Sequence, residues 1–223
     1  MTEVAITPRS KMRAETATGN KEVPVPSSIT TALGRGLDQL VSDDILVIED
    51  VLKRKKGTNP RERKQDFDDI EFGVTSLKTL IKNLQEKSVS VRIRNNRKEG
   101  NLAQCVFVFS DKTGTPEEAE GSYPFSVPPR LIVPLTAALR HEIGNGFADT
   151  SGFAETVELL GKSEHVKEAA NEIYTISQRI LKNILPITTA ESITFDKEPD
   201  GNIRIDTKQP LLYSDSSPIP SRP

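Results

Sequence analysis

The chain reads as an α+β protein, mainly helical, with two short antiparallel β-hairpins and disordered termini. Three observations predict this class. Apolar residues recur at helical spacing in several segments between residues 27 and 185, the period switches to two in two separate stretches, and both ends lack any apolar period. With 223 residues, 35% hydrophobic and 5% aromatic, the chain can bury one good core or two small ones.

Residues 1–26 combine Thr, Lys, Arg and Glu with three prolines, which reads as a flexible arm. From Ser27, the residues Ile29, Ala32, Leu33, Leu37, Leu40 and Val41 share one side of a helix. Gly34 and Gly36 weaken it by roughly 1 kcal/mol each relative to Ala. Ser42 or Asp43 is placed to cap a second helix through Ile45, Leu46, Ile48, Val51 and Leu52, so a short helical hairpin is expected. After Thr75, Leu77, Leu80, Ile81 and Leu84 fall at i, i+3, i+4 and i+7, the cleanest helix of this half.

The period then changes. Val89, Val91 and Ile93 alternate with Ser90, Arg92 and Arg94, giving a strand with one apolar and one polar, basic face. Residues 102–110 are almost continuously apolar, as in a strand covered on both faces, and Asn95, Asn96, Gly100 and Asn101 supply the turn of an antiparallel pair. Residues 111–130 read as a long loop. A helix is expected after Pro134, using Leu135, Ala138, Leu139 and Ile143 and ending at Gly144 to Gly146. Ser151 is placed to cap a short helix through Leu160.

Ser163 starts what reads as the longest helix, with a stripe through Val166, Ala169, Ala170, Ile173, Ile176, Ile180, Leu181 and Ile184 that Pro186 should stop. Such a stripe is core or a subunit interface. Ile193 and Phe195 then face Ile203 and Ile205 across a Pro-Asp-Gly-Asn turn. The globular region is thus expected over residues 27–207, with sub-lobes at 27–56, 66–147 and 151–207. A Pro- and Ser-rich tail follows over 208–223, where Pro220 and Pro223 have the spacing of a polyproline ligand.

The formal charge is only -2, yet residues 53–64 hold seven cations and one carboxylate: Lys53, Arg54, Lys55, Lys56, Arg61, Arg63 and Lys64, with Glu62. Such a cluster attracts phosphate backbones, acidic lipids, acidic proteins or an import receptor. Gly57, Asn59 and Pro60 interrupt it, which favours a loop over one continuous basic helix. Eight carboxylates flank it, Asp43, Asp44, Glu49 and Asp50 before and Asp66, Asp68, Asp69 and Glu71 after, so a loop neutralised within the fold is the competing expectation. Arg92, Arg94, Arg97 and Lys98 form a second basic group, which an edge strand would also carry to discourage aggregation.

Catalytic and metal motifs give less. His141-Glu142 begins like a zinc-protease motif, but Asn145 stands where a second His would ligate, and two His with one Cys do not suggest a His-Cys site. Cys105 shares a strand face with Phe107 and Phe109 and reads as core; a solitary Cys also forms no internal disulfide, in keeping with a reducing compartment. His165 reads as a surface residue. Gly34 and Gly36 lack the preceding strand and third Gly of a dinucleotide site. Asp111-Lys112-Thr113-Gly114-Thr115, at the end of a strand, resembles the phosphorylation motif of P-type ATPases and their haloacid dehalogenase relatives, and Gly144 to Asp149 loosely resembles that family's metal-binding turn. The resemblance implies Asp111 as nucleophile, Thr113 as a phosphate contact, Mg2+ and a parallel sheet. Pro116 and Asn145 depart from the pattern.

The expectation drawn is a non-enzymatic binding protein without cofactor or metal, nucleic-acid-associated or a viral or accessory structural subunit. It would act through Lys53, Arg54, Lys55, Lys56, Arg61, Arg63, Lys64, Arg92, Arg94 and Arg97. A regulatory or assembly subunit that binds protein, or a homo-oligomer, is the alternative. An Mg2+-dependent phosphatase-like enzyme through Asp111 is the third. No apolar stretch predicts a membrane span or a signal peptide, so the cytoplasm is expected, or the nucleus if the host has one.

Overall fold

A computed structural model describes residues 20–56, 67–96, 102–111, 123–160 and 163–210. The architecture is α+β and mostly helical, with two three-stranded antiparallel sheets among the described residues. In chain order the elements are β1 (Asn20–Val25), α1 (Ser27–Lys56), α2 (Asp68–Glu86), β2 (Ser88–Asn96), β3 (Leu102–Ser110) and β4 (Phe125–Ser126). Then come α3 (Pro129–Ile143), a π-helical turn (Gly144–Ala148), α4 (Asp149–Leu160), α5 (Glu164–Thr188), β5 (Ser192–Lys197) and β6 (Ile203–Lys208).

The expected helical hairpin is instead the single helix α1, 30 residues long. Its apolar period runs unbroken through Val41, Ile45, Ile48, Val51 and Leu52, all buried, while Asp43 is exposed on the opposite side and has nothing to cap. This makes α1 longer than α5, which has 25 residues. The buried face of α1 packs against α2 and α5, both antiparallel to it. Lys78 of α2 donates to Glu49 at 2.6 Å, and Arg179 of α5 binds Asp44 with Nε at 3.1 and 3.0 Å from the two carboxylate oxygens. The α5 stripe is core: Ile173, Ile180 and Ile184 are at most 1% exposed and Ile176 is 6% exposed.

Proline and glycine misplace three helix ends. α3 starts at Pro129, not after Pro134, because Pro129 occupies the favoured first helical position, and buried Leu131, Leu135 and Leu139 hold the helix across the bond that Pro134 cannot make. At Gly144 to Gly146 the chain does not stop but passes through the π-helical turn into α4, with Phe147 fully buried. α4 begins at Asp149, and Ser151, expected as its cap, lies buried inside it and accepts from Gln178 of α5 at 2.6 Å. Pro186 lies in the last turn of α5 without ending it. Ile187 and Thr188 remain buried, and Arg140 Nη2 donates to the Thr188 carbonyl at 2.8 Å.

The first sheet has the order β1-β2-β3. Residues 20–25, expected within the flexible arm, form β1, in which buried Val25 and half-buried Val23 pair with Val89 and Val91 of β2. Pro24 has no N–H to offer, which suits an edge strand. β3 is buried on one face rather than two: Cys105 and Phe107 are buried, Val106 and Val108 half-buried. The second sheet has the order β4-β5-β6, so part of the expected 111–130 loop contributes a strand. Its β5-β6 hairpin turns as predicted, with Phe195 opposite Ile205 and Gly201 at φ +90°. β6 ends at Lys208, and Gln209 donates to the Pro186 carbonyl at 2.7 Å, so these two residues are held to the fold rather than free in a tail. Residues 1–19 and 211–223 lie outside the described residues. Among the described residues no helix is long and apolar enough to cross a membrane.

Candidate nucleic-acid interface

The basic cluster begins at the end of α1. Lys53, Arg54, Lys55 and Lys56 form the helix's last turn, where cations interact favourably with the unpaired carbonyls of a helix C-terminus. The side chains of Lys53 and Arg54 are 71% and 65% exposed. Lys53 Nζ lies 3.3 Å from Asp50, one turn back, and Arg54 Nη2 lies 3.6 Å from Glu172 of α5. Pairs this exposed are weak and leave both cations open to competition from another anion. Arg61, Arg63 and Lys64 lie outside the described residues.

The flanking carboxylates bear directly on whether the cluster is neutralised. Asp44 is occupied by Arg179, with its side chain only 14% exposed, and Glu49 by Lys78. Among the described residues, Asp50 is the acid of the preceding flank that touches the cluster, through Lys53. On the far side, Asp68, Asp69 and Glu71 stand in the first turn of α2, where the helix N-terminus favours negative charge. Sequence proximity did not reveal the Asp44–Arg179 and Glu49–Lys78 pairs, because their partners lie 135 and 29 residues away.

The second basic group is separate. Arg92 lies 3.4 Å from Glu22 across the β1-β2 pair, and Ser90 also donates to that carboxylate. The Ser90 hydrogen bond, with help from Arg92, holds the Glu22 carboxyl below the ordinary carboxylate range. Arg94 is exposed, stands in register with Asn20 and Gln104, and pairs with no carboxylate among the described residues. Arg97 lies outside them. Because Val25 pairs with Val89 just before α1 begins, β2 starts at the N-terminal end of α1. Lys53 is 26 residues further along, about 39 Å at 1.5 Å per residue. The two basic groups are therefore attached to opposite ends of α1 and do not make one patch there.

Asp111 is exposed at the end of β3 and ion-paired with Lys87. That hydrogen bond holds the Asp111 carboxyl below its usual range and pushes the Lys87 amine up. β3 belongs to an antiparallel sheet, not the parallel one that the resemblance implies, and residues 144–148 form the π-helical turn packed on α2. Cys105 is buried, and burial pushes its thiol pKa up, away from nucleophile chemistry. His141 is half-buried between Gln104 at 3.3 Å and Asn145 at 2.9 Å, and His165 is exposed beside Glu168 at 3.5 Å. Among the described residues no group of three or more His, Cys, Asp or Glu could hold a metal ion. Comparison with protein families, with characterised proteins and with solved structures finds no match.

Proposed function

We propose that this is a non-enzymatic binding protein that docks on nucleic acid through its phosphates, as a nucleic-acid-associated factor or a viral or accessory structural subunit. The reading rests on one observation: two of the eight carboxylates that could neutralise the basic cluster, Asp44 and Glu49, are committed to Arg179 and Lys78. Those two flanking acids are thereby taken from the cluster while Glu172 of α5 joins Asp50 beside it in weak, exposed pairs, which a phosphate polymer can displace. The scarcity of aromatics beside the cluster favours backbone contact over base stacking. A cytoplasmic or, in a eukaryote, nuclear location fits such a partner.

Binding to unrelated duplex DNA and RNA sequences, followed by fluorescence anisotropy against salt concentration, tests this reading. Replacing Lys55, Lys56, Arg61 and Arg63 with Gln should weaken binding for all sequences alike and reduce the salt slope by about one per lost phosphate contact. Absence of salt-sensitive binding in the wild type, or equal binding by the variant, overturns it.

A protein-binding role is the second reading, favoured by the large apolar side chains left in solvent, among them Val133, Leu159 and Phe72 at 72%, 71% and 66% exposure. Association through such residues would persist at ionic strengths that dissolve a phosphate complex.

A further inference from the structure

Helix α3 turns one narrow face to solvent. Arg130, Val133 and Arg140 are exposed and Ala137 is half-buried, while every other residue from Leu131 to Leu139 is buried. At 100° per residue, Arg130, Val133, Ala137 and Arg140 fall within about 80° of one another, over about 15 Å of helix. His141 lies about 20° from Arg130 on the same projection and joins this face to the first sheet. Its Nε2 is 3.3 Å from Gln104 Nε2 of β3 and 2.9 Å from Asn145 Nδ2. Gln104 in turn stands directly opposite Arg94 in the β2-β3 register. Residues so opposed share a sheet face with Cβ atoms about 5 Å apart, so Arg94, Gln104 and His141 run continuously from the solvent face of the sheet onto α3.

The cations of this surface are not neutralised. Among the described residues Arg94 and Arg130 pair with no carboxylate, and Arg140 donates to the Thr188 carbonyl, an uncharged acceptor. The neighbouring acids are engaged elsewhere or face away. Glu22 is held by Ser90 and Arg92, and Asp111 by Lys87. Glu142 lies at least about 120° round α3 from the four residues of its exposed face. Glu191, just past the end of α5, is exposed and makes no ion pair with Arg140.

We propose that this surface, formed by Arg94, Gln104, Arg130, Arg140, His141 and Asn145, is a second phosphate-binding site, which takes the backbone of RNA or DNA along α3. Its three unneutralised cations are all Arg, whose planar fork matches a phosphate group. The exposed amides of Gln104 and Asn145 add neutral contacts of the kind that go to sugar and phosphate oxygens. At 3.4 Å per nucleotide along one strand, the distance from Arg130 to Arg140 corresponds to about four nucleotides. The proposal rests on the reading above for the class of partner, and it uses none of residues 53–64.

Fluorescence anisotropy of full-length, nuclease-treated protein with labelled duplex DNA and single-stranded RNA, read against salt concentration, tests it. Arg94→Gln with Arg130→Gln should reduce the salt slope on duplex DNA by about two, at about 0.9 per phosphate contact, while circular dichroism melts match the wild type. Arg130→Gln alone should reduce it by about one, and serves if the pair does not fold. Lys167→Gln with Lys197→Gln, the same loss of charge elsewhere, should keep the wild-type slope. The loop variant, with Lys55, Lys56, Arg61 and Arg63 replaced by Gln, should retain salt-sensitive binding that the two Arg changes then remove. An unchanged slope in the Arg94 and Arg130 variant, an equal fall in the Lys control, or no binding by the loop variant overturns this surface and leaves residues 53–64 as the interface. Absence of salt-sensitive binding in the wild type overturns both readings, and pelleting with phosphatidylserine vesicles in that case assigns the surface to an acidic membrane instead.

Discussion

Gly73 of α2 offers the sharpest test of how the bundle is packed. A Cβ at this position would lie 1.9 Å from Thr150 Oγ1 of α4 and 2.9 Å from the Gly146 carbonyl oxygen of the π-helical turn. Real Cβ contacts do not fall below 3.0 Å, so Gly73→Ala must push the two helices apart by about 1 Å. Neither obstacle yields easily, since one is backbone and the other a short β-branched side chain that is fully buried. Overpacking of this kind costs about 1 to 3 kcal/mol, offset by a helix-propensity gain of about 1 kcal/mol for Ala over Gly. A net loss of up to about 2 kcal/mol should lower the melting temperature by up to about 8 °C for a chain of this size.

Gly152 is the control, because a Cβ there meets nothing within 4 Å and the residue is exposed. Gly152→Ala should raise the melting temperature. Thr150→Ala removes the obstructing hydroxyl, which has no hydrogen-bond partner among the described residues, and should recover much of the Gly73→Ala loss when the two are combined. Thermal melts by circular dichroism, read as a double-mutant cycle, measure all four. If Gly73→Ala melts above the wild-type temperature, or gains nothing from Thr150→Ala, the close approach of α2 to α4 is wrong.

Two further outcomes follow from the core and the first sheet. Ile176→Asp should abolish cooperative unfolding, since a lone carboxylate at a position 6% exposed costs several kcal/mol against a typical total of about 5 to 15; a variant with wild-type circular dichroism and melting would remove the α5 stripe from the core. The Glu22 carboxyl has its folded pKa depressed, by Ser90 first and Arg92 after it, so its stabilisation is fully present above the unfolded pKa and is lost as pH falls through the folded value. Urea unfolding over about pH 2 to 6 should therefore show a shallower acid-side loss for Glu22→Gln than for the wild type, and identical slopes would mean that the Glu22 contacts do not persist in solution.

Helical and strand periods were legible in the sequence because they are local. The stripe of α5, the apolar face of α2 at Leu77, Leu80, Ile81 and Leu84, the alternation of β2 and the β5-β6 turn at Gly201 all depend on neighbours within a few residues. Where helices end was less legible. A Pro or Gly costs a helix about 1 to 3 kcal/mol, and burial of Leu135 and Leu139 around Pro134, or of Ile187 and Thr188 after Pro186, can exceed that without leaving a local sign. β1 was hidden for a related reason: Val23 and Val25 gain a partner only when β2, more than 60 residues later, comes alongside. The candidate site divides in the same way. Composition located the cations of residues 53–64, since their density is a property of the chain itself. Which carboxylates oppose them is a property of the fold, because Arg179 and Lys78 reach Asp44 and Glu49 only after α5 and α2 pack on α1, and charge pairing is decided by distance in space rather than along the chain.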